Sequence, residues 1–150
     1  MNKINRVIFA SSSGTSRAPM ATAIFHATEH HRPIICEARG LIVQFPEPLN
    51  QKAEAILISN GIEFKDYSSK QLVDSDFSDN TLVITMEETQ RQKILSEYAN
   101  ATEENTHLLN ELVGDELEVM DPYGGSVQTY GLCYEVLKAS IEKLMRVLEA

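Results

Sequence analysis

The stretch FASSSGTSRAPMA, Phe9 to Ala21, most constrains the fold. An apolar run, Arg6-Val7-Ile8-Phe9-Ala10, enters it, and a segment with Met20, Ile24 and Phe25 on one helical face leaves it. Between them lie only small polar residues and one arginine. A short apolar run of this kind suits a buried strand. Pro19 stands near a helix start, where its missing N–H is no loss. The segment therefore reads as strand, tight loop, helix.

The rest of the chain repeats the alternation. Ile34-Ile35-Cys36 reads as a second strand, followed by a loop from Gly40 to Pro48. Asn50 suits the cap of a helix with Ala53, Ile56 and Leu57 on its face, stopping at Asn60-Gly61. Ile62–Tyr67 reads as an extended, half-polar strand, and Thr81-Leu82-Val83-Ile84 as a buried one. Glu87–Tyr98 reads as a helix with acids in its first turn. Thr106–Leu109 is the expected last strand. Ser126 caps a long helix with Tyr130, Cys133, Leu137, Ile141, Leu144 and Leu148 at steps of three or four. Strands alternating with helices predict an α/β fold, a mostly parallel sheet with helices on both faces. Ligands in such folds sit at the carboxyl ends of the strands, where the opening loop lies.

The chain's 150 residues suffice for one domain spanning 1–150. The net charge of −9 and the lack of any Lys/Arg cluster argue against nucleic acid as a partner. No apolar run is long enough to span a membrane. Two cysteines are too few for a disulfide framework or a zinc site. A cytoplasmic protein with no metal and no cofactor is the expectation.

Ser11-Ser12-Ser13-Gly14-Thr15-Ser16-Arg17 can cradle an anion. Small residues let backbone N–H groups curl around it, and the helix that follows adds its positive end. Gly14 can take positive φ, and Arg17 offers a fork of donors matched to phosphate oxygens. The Walker pattern is absent. The loop alone leaves open a flavodoxin-like flavin-phosphate site and a phosphatase loop without its cysteine. Before the last helix stands Asp121-Pro122-Tyr123-Gly124-Gly125-Ser126. By itself this is a turn signal. Facing an anion loop, Asp121 is suited to protonate a leaving oxygen, and Tyr123 to flank an aromatic ligand.

Together these motifs resemble the low-molecular-weight protein tyrosine phosphatases. That family has Cys-x5-Arg after its first strand, commonly followed by Ser-Pro-Met-Ala, and an Asp-Pro-Tyr motif before its last helix. Arg17, Pro19-Met20-Ala21 and Asp121-Pro122-Tyr123 match. Weaker matches are Pro48-x4-Ala53, Ser69-Lys70-Gln71-Leu72, Asp76-Phe77 and Thr85-Met86-Glu87. The resemblance implies about four strands and metal-independent hydrolysis of phosphotyrosine or aryl phosphates. Position 11 would attack phosphorus, and Ser12, Ser13, Gly14, Thr15, Ser16 and Arg17 would hold the oxygens. Asp121 would serve the leaving group and then water, and Phe45 and Tyr123 would wall the pocket.

The departures are Ser11 at the nucleophilic cysteine, Gly14 at the family's asparagine, Ser16 at a second cysteine found in many members, and Ala18 at the hydroxyl residue that assists the thiolate. A serine hydroxyl needs an adjacent base, and no motif puts His26, His30, His31 or His107 beside the loop. Poor or absent formation of a phosphoenzyme is expected, while phosphate or phosphotyrosine binding persists. Cys36 and Cys133 read as core residues. The rival expectations are a binding module without turnover, a flavodoxin-like carrier of flavin mononucleotide and, more remotely, a phosphotransferase sugar-carrier domain.

Overall fold

A computed structural model describes residue 1 and residues 3–150. Four parallel strands form one sheet in the order β2-β1-β3-β4. They are β1 (Arg6–Ser11), β2 (Ile35–Gly40), β3 (Thr81–Thr85) and β4 (Thr106–Leu108). β1 lies in the centre, with Ser11 opposite Gly40 on β2 and Ala10 opposite Thr85 on β3.

Alternation along the strands divides the interior. Val7, Phe9, Leu82 and Ile84 face the larger core, built with α1 (Arg17–Ala27), α2 (Gln51–Ser59), α4 (Leu109–Val113) and α5 (Val127–Glu149). Ile8, Ala10 and Val83 face a smaller core with Ile94 of α3 (Glu88–Glu97). Successive side chains on a strand point to opposite faces, so a run buried on both needs no polar residue. The sheet is thus covered on both sides, as the α/β reading requires.

Caps act where the side chains allow. Asn50 Oδ1 accepts the amides of Lys52 and Ala53 at 2.9 and 3.1 Å, and Ser126 Oγ accepts that of Thr129 at 3.3 Å. α1 is buried from Arg17 through Phe25 rather than on one face, because the sheet and α5 enclose it. Pro19 is its third residue, still inside the turn whose N–H groups have no helical acceptor.

Three expectations are corrected. Residues 62–67 form no strand. The left-handed backbone of Asp66 (φ 57°) breaks the extension, and Ile62, Phe64 and Tyr67 instead pack against the larger core. β2 runs on to Gly40, hidden in the sequence by charged residues that pair rather than face solvent. Glu37 bonds Arg6 at 2.8 Å and Arg39 at 3.1 Å, and Arg39 reaches Asp76 at 3.3 Å. Leu109 starts α4 instead of ending β4. No helix among the described residues is long and apolar enough to cross a membrane.

Candidate phosphate site

β1 delivers Ser11 to the carboxyl end of the sheet, where the chain turns through residues 12–16 into α1. Gly14 makes the turn with φ 73°, and a Cβ there would stand 2.9 Å from the Gly40 amide nitrogen. The loop therefore lies directly against the end of β2, and only glycine satisfies both the conformation and the contact. Several neighbours fix it. The Leu41 amide donates to the Ser11 and Ser12 carbonyls, the Asn50 amide to that of Thr15 at 2.9 Å, and the Tyr67 hydroxyl to that of Gly14 at 2.6 Å. Burial pushes the Tyr67 phenol up to about 12, with Arg39 opposing, so it remains a donor. Gln90 Nε2 donates to Ser12 Oγ at 3.1 Å while its Oε1 accepts the amides of Met86 and Glu87.

These contacts leave the amides of Ser13, Gly14, Ser16 and Arg17 without acceptors among the described residues. The loop lines a cavity of about 360 Å³ with Ser11, Ser12, Ser13, Thr15, Ser16 and Arg17, joined by Glu47, Asp121 and Tyr123. Gly14 shapes this wall from behind and does not line it.

Ser11 is at the floor, 3 % exposed. Its Oγ accepts the Ala18 amide at 3.3 Å. Arg17, also buried, is held by oxygen on three sides. Its Nη1 donates to the Val119 carbonyl at 2.8 Å and lies 2.6 Å from Glu87 Oε2, and its Nη2 is 3.6 Å from Asp121 Oδ2. Asp121 sits at the rim with half of its side chain exposed, and its Oδ1 accepts the Tyr123 amide at 3.1 Å. Lys52 of α2 donates to the Gly125 carbonyl and ties this second loop down.

The cavity thus combines a buried fork of donors, free amides at the start of an eleven-residue helix, a hydroxyl on its floor and a carboxylate at its mouth. Donors and a carboxylate of these types can hold a phosphoryl group by its oxygens and serve a leaving group from the solvent side.

Phe45 is 75 % exposed and does not line the cavity. Glu47 takes the wall assigned to it, because the chain from Leu41 to Pro48 carries Phe45 outward. No histidine lines the cavity. His26 contacts the Cys36 carbonyl, and His107 that of Glu104. Cys36 is buried in β2. Cys133 lies closer, its thiol pushed up to about 11 by burial, lowered by Arg17 and raised by Asp121. Such a thiol is a poor nucleophile at neutral pH. Among the described residues no group of three or more His, Cys, Asp or Glu could hold a metal ion. Sequence reasoning missed Glu47, Tyr67, Gln90 and the Val119 carbonyl. It placed Glu87 only as a motif match, without its contact to Arg17.

The fold and this site define a phosphatase scaffold of the low molecular weight class. The chain belongs to the low molecular weight phosphotyrosine protein phosphatase family, whose model matches residues 6–150. It is 28 % identical over 139 residues to the low molecular weight protein-tyrosine-phosphatase PtpB of Staphylococcus epidermidis, covering 93 % of this chain and 96 % of that protein. The crystal structure of the low molecular weight protein tyrosine phosphatase from T. tengcongensis superposes with a TM-score of 0.88 at 28 % identity, over 94 % of this chain and 97 % of that one. The arginine phosphatase YwlE, in a cysteine-to-serine mutant with phosphorylated active site serine, shares the fold with a TM-score of 0.84 at 24 % identity, over 96 % and 95 % of the two chains. This membership displaces the flavin-carrier and sugar-carrier alternatives.

Proposed function

We propose that this protein binds the phosphoryl group of phosphorylated protein side chains in the loop cavity and completes their hydrolysis poorly or not at all. The observation that carries the reading is Ser11 itself. Among the described residues its Oγ has one hydrogen-bond partner, the Ala18 amide, and those lining the cavity bring no imidazole or amine to take its proton. A thiol ionises readily beside an arginine and a helix N-terminus, whereas a hydroxyl does not. The binding elements need no thiolate, so they keep their role. The phosphorylated serine of the YwlE mutant supports the view that impaired turnover need not mean an inert hydroxyl. Two buried free thiols suit the reducing cytoplasm.

A second reading concerns the phosphorylated side chain. Tyr123 is the one aromatic residue lining the cavity, and Glu47 and Asp121 put two carboxylates there. Carboxylates pair with a guanidinium, which favours phosphoarginine, the substrate class named for YwlE, over phosphotyrosine.

Calorimetric titration with inorganic phosphate tests the binding reading, with phosphotyrosine and phosphoarginine as competitors. Saturable one-site binding, abolished by Arg17→Met, is expected. Absence of binding by the unmodified protein overturns the proposal.

A further inference from the structure

We infer that the groove between residues 115–120 and α5 is a docking site for a basic amphipathic helix of another protein. It shares no lining residue with the phosphate cavity.

α5 carries more apolar surface than its place in the fold requires. Tyr130, Leu137, Ile141, Leu144 and Leu148 fill the larger core. Leu132 and Val136 lie on another face, four residues apart, and Ala139 continues their line one turn on; all three are exposed. One apolar stripe suffices to seat a helix on its own domain. The second stripe is left over. Beside it runs the segment from Asp115 to Met120, in which Leu117 is 81 % and Met120 64 % exposed. Leu132, also 64 % exposed, and Val136 complete an open groove of about 560 Å³. Four large apolar side chains exposed at one place differ from the scattered single ones that any surface carries, and such patches mark interaction sites.

The wall opposite α5 is held from three sides. The Val119 carbonyl accepts Arg17 Nη1 of α1 at 2.8 Å. Glu118 Oε2 accepts the Glu88 amide at the start of α3 at 2.7 Å. Lys143 of α5 pairs with Asp115. The groove therefore exists before a partner arrives, and docking orders little of this chain.

The spacing of the stripe and the charge of its rim define the occupant. Apolar residues at steps of four and three form the seam against which a second helix packs, its own anchors spaced in the same way. Asp115, Glu116 and Glu118 line the groove, and among the described residues no basic side chain does. Lys143 neutralises Asp115, but Glu116 and Glu118 remain, and Glu135 flanks the stripe on α5. Carboxylates around an apolar centre favour lysine or arginine on the flanks of the incoming helix. A second copy of this chain would bring the same carboxylates against them, and an anionic membrane surface would be repelled in the same way. A basic helix from a different protein satisfies both the centre and the rim.

The probe is a peptide about four turns long, with leucines at i, i+4 and i+7 and lysines on its other faces, titrated calorimetrically into the full-length protein. Its controls are a scrambled peptide of the same composition with no apolar face, and a twin with glutamate for lysine. Saturable one-to-one binding of the basic amphipathic peptide, about tenfold or more tighter than either control, is expected. The double variant Leu117→Gln, Leu132→Gln should weaken it by about tenfold or more. Glu116→Lys should weaken it as well and flatten its salt dependence. These side chains are exposed, so urea unfolding should show both variants folded as stably as the parent. Docking is refuted if the basic amphipathic peptide does not bind, or if the double variant binds it unchanged. It is refuted too if the scrambled peptide binds as tightly, since the net charge of −9 would then explain the attraction, or if the glutamate twin does. Sedimentation showing a dimer that the double variant dissociates would assign the groove to a second copy and overturn it. Loss of the phosphate-binding reading would leave this groove untouched, and failure here would leave that reading standing.

Discussion

Substituting Gly14 by alanine separates two demands that the loop places on one residue. The left-handed backbone at φ 73° costs a non-glycine residue about 1–2 kcal/mol. The added methyl would also stand 2.9 Å from the Gly40 nitrogen, 3.0 Å from its Cα and 3.2 Å from the Arg39 carbonyl carbon. These are backbone atoms of a strand paired on one side to β1, so they cannot rotate away. Overpacking of this kind costs about 1–3 kcal/mol, which makes about 2–5 kcal/mol in all. Gly61→Ala is the internal control. Its φ is 77°, yet nothing lies within 4 Å of the new methyl, so it carries only the backbone cost of about 1–2 kcal/mol. Urea unfolding of both variants isolates the contact as the difference between them. Calorimetry with phosphate then shows whether the strained loop has lost its cradle. Equal costs for the two variants, with phosphate affinity unchanged, would refute the close seating of the loop on β2.

Other consequences follow from the charge network and the thiols. Asp76 is buried between Arg6 and Arg39 and also accepts the Val73 amide at 3.0 Å. Asp76→Ala leaves the buried Arg39 guanidinium without this partner and is expected to cost about 3–5 kcal/mol in urea unfolding. Burial alone would raise the Glu37 carboxyl, but Arg6 and Arg39 outweigh it and hold the group below its ordinary 4.5. Because the folded value is the lower one, the pair's contribution is complete above about pH 4.5 and is lost as pH falls through that folded value. Thermal unfolding followed below pH 5 should therefore be shallower with pH in Glu37→Gln. Burial raises both native thiols, that of Cys133 to about 11. Iodoacetamide at pH 6 should label the folded protein slowly and Ser11→Cys rapidly at position 11, as peptide mass mapping would show.

How much of this was legible in the sequence depends on the range of the interactions involved. The strand–loop–helix unit around Gly14 and Arg17 is local, and its small residues, arginine and early proline all point the same way. The Asp121 loop was legible as a motif, and its Asx turn onto the Tyr123 amide is also local. What holds Arg17 is not local. Val119 contributes a carbonyl, which no side-chain pattern records, and Glu87 looks like an ordinary acid at a helix start. The segment that holds Tyr67 has a strand-like mix of residues, which conceals its place. Its actual role, a hydroxyl on the Gly14 carbonyl, depends on a chain reversal at Asp66. The end of β2 was lost because Glu37 and Arg39 look solvent-facing until Arg6 and Asp76 are placed beside them. Loop position alone points Phe45 to the cavity, but Glu47, two residues on, lines it instead.

The central claim is that this cavity is an intact phosphoryl site in which one atom limits the reaction. Steady-state hydrolysis of p-nitrophenyl phosphate at mildly acidic pH, by the protein and by Ser11→Cys side by side, tests it most directly. Sustained turnover by Ser11→Cys alone is the predicted result. Sustained turnover by the unmodified protein, at a rate the cysteine does not raise, would contradict it.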